Sequence, residues 1–486
     1  MSKVRTRFAP SPTGYMHIGN LRTALWAYLI AKKDPEGVFI LRIEDTDQGR
    51  LVEGATDIIY NTMRECGLKH DEGPDIGGPV GPYVQSERVR SGLYMEYAKK
   101  LIDLGGAHYC FCDEETIAKA KAAHTGNGES FKYDDPCKYI SKEDAEKRIA
   151  AGEPFVIRQT IPAEGTTSFD DEVFGHIEVD NSILDEQVLI KSDGFPTYNF
   201  ANVIDDHLMG ITDVVRGMEY LSSTPKYNLI YDAFGWDKPR YIHCPPVMKD
   251  EHSKLSKRNG DASFQDLMAK GYLPEAVLNY IAMLGWSPET NQEIYTLDEL
   301  VKAFNVKHIG QNGAIFDPVK LTSVNGLWLR GMDLDSYVKL TEPYIRQAVK
   351  GNFDIKKIAA GVQQRANTLC EIPPMLDFYD TFPAYSNDLY LNKKMKTNPD
   401  VAKETLPACR AVLAEITDWT HDTLHERLME LPAKLEKKNG QVLFPLRVAI
   451  SGKPSTPGGA IEIAEILGKE ETLRRLDLSI AQLENE

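Results

Sequence analysis

The stretch from residue 4 to residue 47 reads VRTRFA, PSPTG, YMHIGNLRTALWAYLIAKK and, after a short break, GVFILRIEDTD. An extended run is stopped by two prolines and a glycine, and Leu21, Ala24, Leu25, Tyr28 and Leu29 then recur at helical spacing. A second extended run follows and ends in acids. Strand, turn, helix, strand in this order opens a parallel α/β sheet, because parallel neighbours need a crossover and a helix supplies it. The same pattern returns in QVLIKSDGFPTYNFANVIDDHLMGITDVVRG. Between the two, helical stretches such as SGLYMEYAKKLIDLG and SKEDAEKRIAAG alternate with strand-like runs, PFVIRQTI and HIEVDN. One parallel sheet split by an inserted domain is the expectation. Beyond DEHSKLSKRNGD the text is almost wholly helical, with PEAVLNYIAMLG, DSYVKLTEPYIRQAVKG and KEETLRRLDLSIAQL all showing helical periodicity.

A chain of 486 residues is too long for one core, so several structural units are expected. Hydrophobic residues at 42% and charged residues at 26% place it among globular proteins and exclude a disordered or fibrous chain. The formal charge of −16 argues against indiscriminate binding to nucleic acid, while leaving room for a local basic track. No apolar leader opens the sequence and no run approaches the ~18 apolar residues of a membrane span, so a cytoplasmic chain without membrane contact is expected. Seven cysteines in this length predict free thiols, with room for one metal site, rather than a disulfide framework.

Two short motifs carry chemistry. In PSPTGYMHIGN, Gly14 and Gly19 let backbone approach a ligand, and His17 stands where the helix begins. A helix N-terminus offers unpaired N–H groups to a phosphate, and an imidazole there can donate to a phosphate oxygen. The pattern is neither a P-loop nor GxGxxG. KLSKR places Lys254 and Lys257 around a serine, after the apparent strand RYIHCPPVM. A loop after a parallel strand lies at the carboxyl edge of the sheet, where open α/β folds bind ligands. Two ammonium groups there can close on a triphosphate as charge spreads over it during displacement of pyrophosphate.

HIGN and KLSKR, in that order, resemble the HIGH and KMSKS motifs of class I aminoacyl-tRNA synthetases. RFAPSPTGYMHIGNLRTAL, RIEDTDQGR, DEGPDIGGPVGPYVQSER, KSDGFPTYNFANVIDDHLMGITDVVRG, KLSKRNGDASF and LFPLRVAISG together resemble the bacterial glutamyl-tRNA synthetase family over nearly the whole chain. The resemblance implies an α/β fold: a Rossmann-type catalytic domain at 1–87 and 197–251, split by an α+β acceptor-stem insert at 88–196. A stem-contact domain carrying the KLSKR loop would follow at 252–334, and an all-α anticodon-binding region at 335–486. It implies a ligase that activates L-glutamate with MgATP to glutamyl-adenylate and transfers it to the terminal adenosine of tRNA(Glu), as a monomer. A family member that also charges tRNA(Gln) is the nearest alternative; Arg365, in QQRANTL, resembles a position that influences this choice. A non-catalytic tRNA-binding paralogue is disfavoured by the intact motif pair, and a shortened synthetase-like enzyme by the helical third.

Carried over by position, His17, Lys254 and Lys257 would be catalytic and, with Gly19 and Asn20, would bind ATP. Arg7, Ser11, Glu44, Tyr198, Asn202 and Arg216 would line the glutamate pocket. Guanidinium groups bind carboxylates in bidentate fashion, and the substrate has two of them. Glu44, at the end of the strand FILRI, would face the ammonium group. The acids of IEDTD, with Asp205 and Asp206, are read as structural hydrogen-bonders, magnesium arriving with ATP. In the insert, Cys110, Cys112 and Cys137 could hold a structural zinc. Tyr139 stands where related sites have a histidine, so Tyr133 is the fourth candidate; the same thiols also read as reduced, buried cysteines.

Overall fold

The computed structural model describes residues 3–123, 133, 135–255 and 263–485. Lys257 lies outside them. The chain forms two compact units, one of residues 1–267 and 277–317, the other of 268–276 and 318–486.

In the first unit, β1 (Arg5–Phe8) and β2 (Val38–Leu41) pair in parallel, Arg7 opposite Ile40, and α1 (Ile18–Lys33) crosses between them. All four residues of β2 are buried, and α1 buries Ile18, Leu21, Ala24, Leu25, Trp26 and Leu29. A helix so apolar around its circumference belongs inside a layered α/β core rather than on its surface. It even buries Arg22, whose guanidinium is spent on the carbonyls of Leu284 and Pro245.

The second half of the sheet has the order β6–β5–β9–β8, with β5 at Thr166–Asp171, β6 at Gly175–Asp180, β8 at Asp213–Gly217 and β9 at Arg240–Cys244. β8 and β9 are parallel, and the hairpin of β5 and β6 joins them through a parallel bridge from Asp171 to Tyr241. The Thr212 N–H donates to the Arg5 carbonyl at 2.9 Å, which sets β1 beside β8 and unites the halves. A separate antiparallel sheet of β3 (Ala107–Cys110), β4 (Val156–Gln159) and β7 (Val188–Ile190) lies within the inserted region. It packs with α2 (Leu93–Asp103), α3 (Tyr198–Leu208) and α4 (Thr224–Phe234) around Tyr94, Leu101, Ile157, Phe200 and Tyr227.

Two details depart from the reading of the sequence. QVLI was expected to resume the parallel sheet, yet β7 pairs antiparallel with β4; three apolar residues do not specify a partner. HIEVDN was expected inside the insert, yet its hairpin extends the parallel sheet.

A buried ionic network ties the first unit together. Arg42, fully buried, meets Asp206 at 2.7 Å and Glu44 at 2.9 Å; Arg7 meets Asp206 at 3.0 Å. Arg88 meets Asp205 at 3.0 Å, and Gln85 and Tyr94 donate to the same carboxylate. Three cations and three anions from β1, the end of β2, α3 and the 85–90 helix thus neutralise one another. Burial pushes Asp206 up, but Arg7 and Arg42 outweigh it and hold its carboxyl below the usual range. Its contribution to stability is therefore present above an ordinary aspartate value near 3.8 and is lost as pH falls through the lower folded value.

The second unit is helical, built from Pro318–Gly331, Leu334–Ala348, Ile355–Gln363, Pro399–Glu415, Asn439–Ser451 and Ala460–Glu484. Its centre holds the buried Arg475, which donates to the carbonyls of Phe378, Ile450 and Tyr379 at 2.8–2.9 Å and pairs with Glu471 at 2.7 Å. The last helix breaks at Gly468, where φ is 79°.

Arg42→Met removes one cation and leaves Glu44 and Asp206 short of a partner in apolar surroundings. The expected loss is about 3–5 kcal/mol, read as a lower urea midpoint by tryptophan fluorescence.

Candidate active site

A cleft of about 290 Å³ opens at the carboxyl edge of β1, β2 and β8. Arg7, Ser11, Asn20, Glu44, Tyr198 and Arg216 line it, all six expected from the sequence, together with Thr13, Thr23, Arg50, Glu219 and Tyr220. These five carried no separate signal: a lone polar residue on a helix or in a turn has many uses. Asn202 lies one turn behind the cleft, its amide donating to the Tyr198 carbonyl at 2.6 Å, so it orients the tyrosine's backbone.

The two arginines are held in different ways. The Arg7 Nε donates to Asp206 at 3.0 Å and its Nη1 to the Val215 carbonyl at 3.0 Å, which leaves Nη2 for the cleft. Arg216 sits in an aromatic cage, 4.8 Å from the Tyr227 ring, 5.4 Å from Tyr241 and 5.6 Å from Tyr220. The rings of Tyr198 and Tyr220 lie 4.8 Å apart, tilted by 30°, and form one wall. Glu44 is 6% exposed and presents its Oε1 to Arg42. Burial raises its pKa, and the neighbouring charges of Arg42 and Arg7 only partly offset that. The Tyr198 hydroxyl is pushed well above its usual value by burial and by the Glu44 charge, so it stays neutral.

His17 is the N-cap of α1, and its Nδ1 accepts from the Gly19 N–H at 3.0 Å. The ring lies so close that a Cβ at position 19 would stand 3.1 Å from Nδ1, which explains the glycine. Gly14, at φ 111°, makes the turn that leads into it. The lysine segment is anchored at both ends near this turn. Ser263 bridges His17 and the Phe264 N–H donates to the Met16 carbonyl at 2.9 Å; upstream, Lys254 bridges Met248 and the Leu255 N–H donates to Val247 at 3.0 Å. Lys254 is exposed.

A second cluster lies in the inserted region. Donor atoms of Cys110, Cys112, Cys137 and Asp135 all fall within 4.8 Å of one another. Cys112 Sγ is 3.7 Å from Cys137 Sγ and 3.7 Å from Asp135 Oδ1. Tetrahedral zinc with Zn–S bonds of ~2.3 Å sets ligand sulfurs about 3.8 Å apart, so this donor set fits zinc. Tyr133 lies beside Cys112, its phenol pushed up first by burial and then by a hydrogen bond with that thiol. Asp135, which the sequence reading passed over, is held by His108 Nε2 at 3.1 Å and by the Cys137 N–H at 2.8 Å. An aspartate two residues before a cysteine is common in turns, so spacing alone gave no reason to choose it.

Four other clefts are larger, about 670, 480, 760 and 330 Å³. None of the four gathers paired guanidinium groups around a buried carboxylate.

Residues 3–323 match the family model of tRNA synthetases class I (E and Q), catalytic domain, and residues 336–480 match that of an anticodon binding domain. A glutamate–tRNA ligase of Clostridium tetani is 60% identical over 100% of this chain and 99% of its own length. One of Clostridium kluyveri is 58% identical with the same coverage. The crystal structure of a glutamate tRNA ligase from Elizabethkingia meningosepticum, in complex with its amino acid, superposes with a TM-score of 0.90 at 32% identity, covering 99% of this chain and 100% of that one. With two family models in tandem and relatives this similar from end to end, the chain belongs to the glutamate–tRNA ligase family of class I tRNA synthetases.

Proposed function

We propose that the cleft between β1, β2 and β8 binds L-glutamate and MgATP, and that the chain joins the amino acid to tRNA(Glu) through glutamyl-adenylate. The observation that carries this is charge complementarity. Glutamate has two carboxylates and one ammonium group; the cleft offers two buried guanidinium groups, Arg7 and Arg216, and one buried carboxylate, Glu44, while Arg50 and Glu219, which also line it, are exposed. Each is pre-oriented by other protein groups, so little reorganisation accompanies binding. Ser11, Tyr198 and Tyr220 complete the walls, with Asn202 behind.

The glutamate α-carboxylate attacks the α-phosphorus, and pyrophosphate leaves. His17, Gly19 and Asn20 place the phosphates at the N-terminus of α1, while Lys254 and Lys257 neutralise the charge developing on the leaving group. The terminal ribose hydroxyl of tRNA then attacks the acyl carbon, losing its proton as the ester forms, and the acyl–phosphate bond breaks to release AMP. Neither step needs a strong protein base, since positioning and charge stabilisation carry both. The 88–196 insert would meet the acceptor stem, 252–334 the stem below it, and 335–486 the anticodon, where the exposed Arg365 stands at the end of the Ile355–Gln363 helix. In the insert, Cys110, Cys112 and Cys137 would hold zinc with Asp135 or the Tyr133 hydroxyl as fourth donor, bracing β3 against the following turn.

Charging of tRNA(Glu) and tRNA(Gln) transcripts with labelled glutamate and MgATP tests the function: product on tRNA(Glu) is expected, product on tRNA(Gln) marks a relaxed enzyme, and product on neither refutes the ligase. Glu44→Gln is expected to raise the KM for glutamate by roughly 10- to 100-fold, with the KM for ATP little changed. The raised Glu44 pKa adds a sign: in the parent protein the KM for glutamate climbs as pH falls through the raised Glu44 value, and Glu44→Gln flattens that limb. Lys257→Ala is expected to slow adenylate formation at least ~100-fold while changing tRNA affinity less than ~3-fold. Protein purified without chelator is expected to carry one zinc per chain by elemental analysis, and Cys112→Ser to lose it.

A further inference from the structure

His243 takes no part in the mechanism above. His243, on β9, is fully buried, and its register partner on β8 is Arg216, so the two side chains share one face of the parallel pair. The Arg216 Nε lies 3.0 Å from His243 Nε2. Arg216 Nη2 donates to Thr224 Oγ1 at 2.8 Å, and that hydroxyl donates on to the Tyr220 carbonyl at 2.9 Å. On its far side His243 Nδ1 lies 2.7 Å from Asp171 Oδ2.

An arginine Nε–H is always a donor, so His243 Nε2 must be the acceptor and the ring proton must sit on Nδ1. Asp171 fixes that choice. Its Oδ1 accepts from the N–H groups of Val173 and Phe174 at 2.9 Å, and its Oδ2 accepts from the His243 backbone N–H at 3.2 Å besides the ring. A carboxylate surrounded by N–H donors is an obligate acceptor, and it selects the Nδ1–H tautomer. Burial lowers the pKa of His243, opposed by Asp171, so the ring stays neutral and keeps its Nε2 lone pair. One edge of the Arg216 guanidinium is thereby spoken for, and the Nη1 pair with one Nη2 hydrogen is aimed away from that edge.

We infer that Asp171 and His243 are positioning residues for substrate recognition: through a single imidazole tautomer they set the roll of the Arg216 guanidinium that meets a carboxylate of the amino acid. The inference rests on the reading of Arg216 as a glutamate-binding group. It gives the β5–β6 hairpin a role beyond architecture, because Asp171 closes β5 and reaches β9 through its bridge to Tyr241. The inserted stretch thus supplies a residue that acts on the amino-acid cleft through one intermediary.

Asp171→Asn is nearly isosteric, yet wherever its amide nitrogen sits it opposes backbone N–H donors, and turned toward the ring it drives the proton to Nε2, against Arg216. Steady-state charging at saturating tRNA is expected to show the KM for glutamate raised roughly tenfold or more, with kcat and the KM for ATP within about threefold. His243→Leu is expected to do the same. His243→Gln, which can accept from Arg216 and donate to Asp171, is expected to return the KM at least halfway, on a logarithmic scale, to that of the parent. Arg216→Gln serves as the control. If it raises the KM for glutamate while Asp171→Asn and His243→Leu do not, the positioning inference is overturned and the reading of Arg216 stands. If Arg216→Gln leaves that KM unchanged, the reading fails and the inference with it. Equal KM values for His243→Gln and His243→Leu, or a matching rise in the KM for ATP, would show that the pair only packs.

Discussion

Two of the charged groups that line the cleft, Arg7 and Glu44, are held by a buried exchange of charge with Arg42, Arg88, Asp205 and Asp206. Removing an ion from water is costly, and such a group persists only where partners and hydrogen bonds replace its hydration. Here the replacement is shared. Asp206 serves two arginines, Arg42 serves two acids, and Asp205 takes further donors from Gln85 and Tyr94. The network's outer members, Arg7 and Glu44, are the ones that line the cleft. On the proposed reading, their remaining donor and acceptor atoms face the substrate because their other atoms are committed inward. Recognition and folding therefore draw on the same bonds.

The parallel sheet makes this economical. β1 and β8 deliver Arg7 and Arg216 toward their carboxyl ends, and Glu44 follows the end of β2. α1 starts from the same edge, where the positive end of its dipole favours an anion, so the proposed amino-acid and nucleotide sites adjoin at a junction fixed by topology. Lys254 bridges to Met248 and Ser263 to His17, which fixes the described residues on either side of 256–262.

Much of this was legible in the chain itself. The strand, Pro/Gly turn, helix and strand at the start had a periodicity only one arrangement satisfies, and HIGN with KLSKR pointed to a nucleotide. What escaped depends on contacts distant in sequence. Asp171 and His243 are 72 residues apart, and no local pattern marks either as a partner of Arg216. Arg22 is buried against carbonyls from Pro245 and Leu284, more than 200 residues away, and no local pattern marks that pairing. The three residues of β7 could pair either way, and only the surrounding insert settles which. Side-chain pairing across long loops is set by tertiary packing, and periodicity carries no record of it.

The central claim is that the cleft reads three charges, two negative and one positive, each with its own fixed protein partner. It is tested most directly by competition in the complete charging reaction, with labelled glutamate near its KM. Glutamine lacks the side-chain charge and glutarate lacks the ammonium group. The account predicts that each inhibits at least ~10-fold more weakly than unlabelled glutamate dilutes the label. Glutamine or glutarate competing as well as glutamate itself would contradict it.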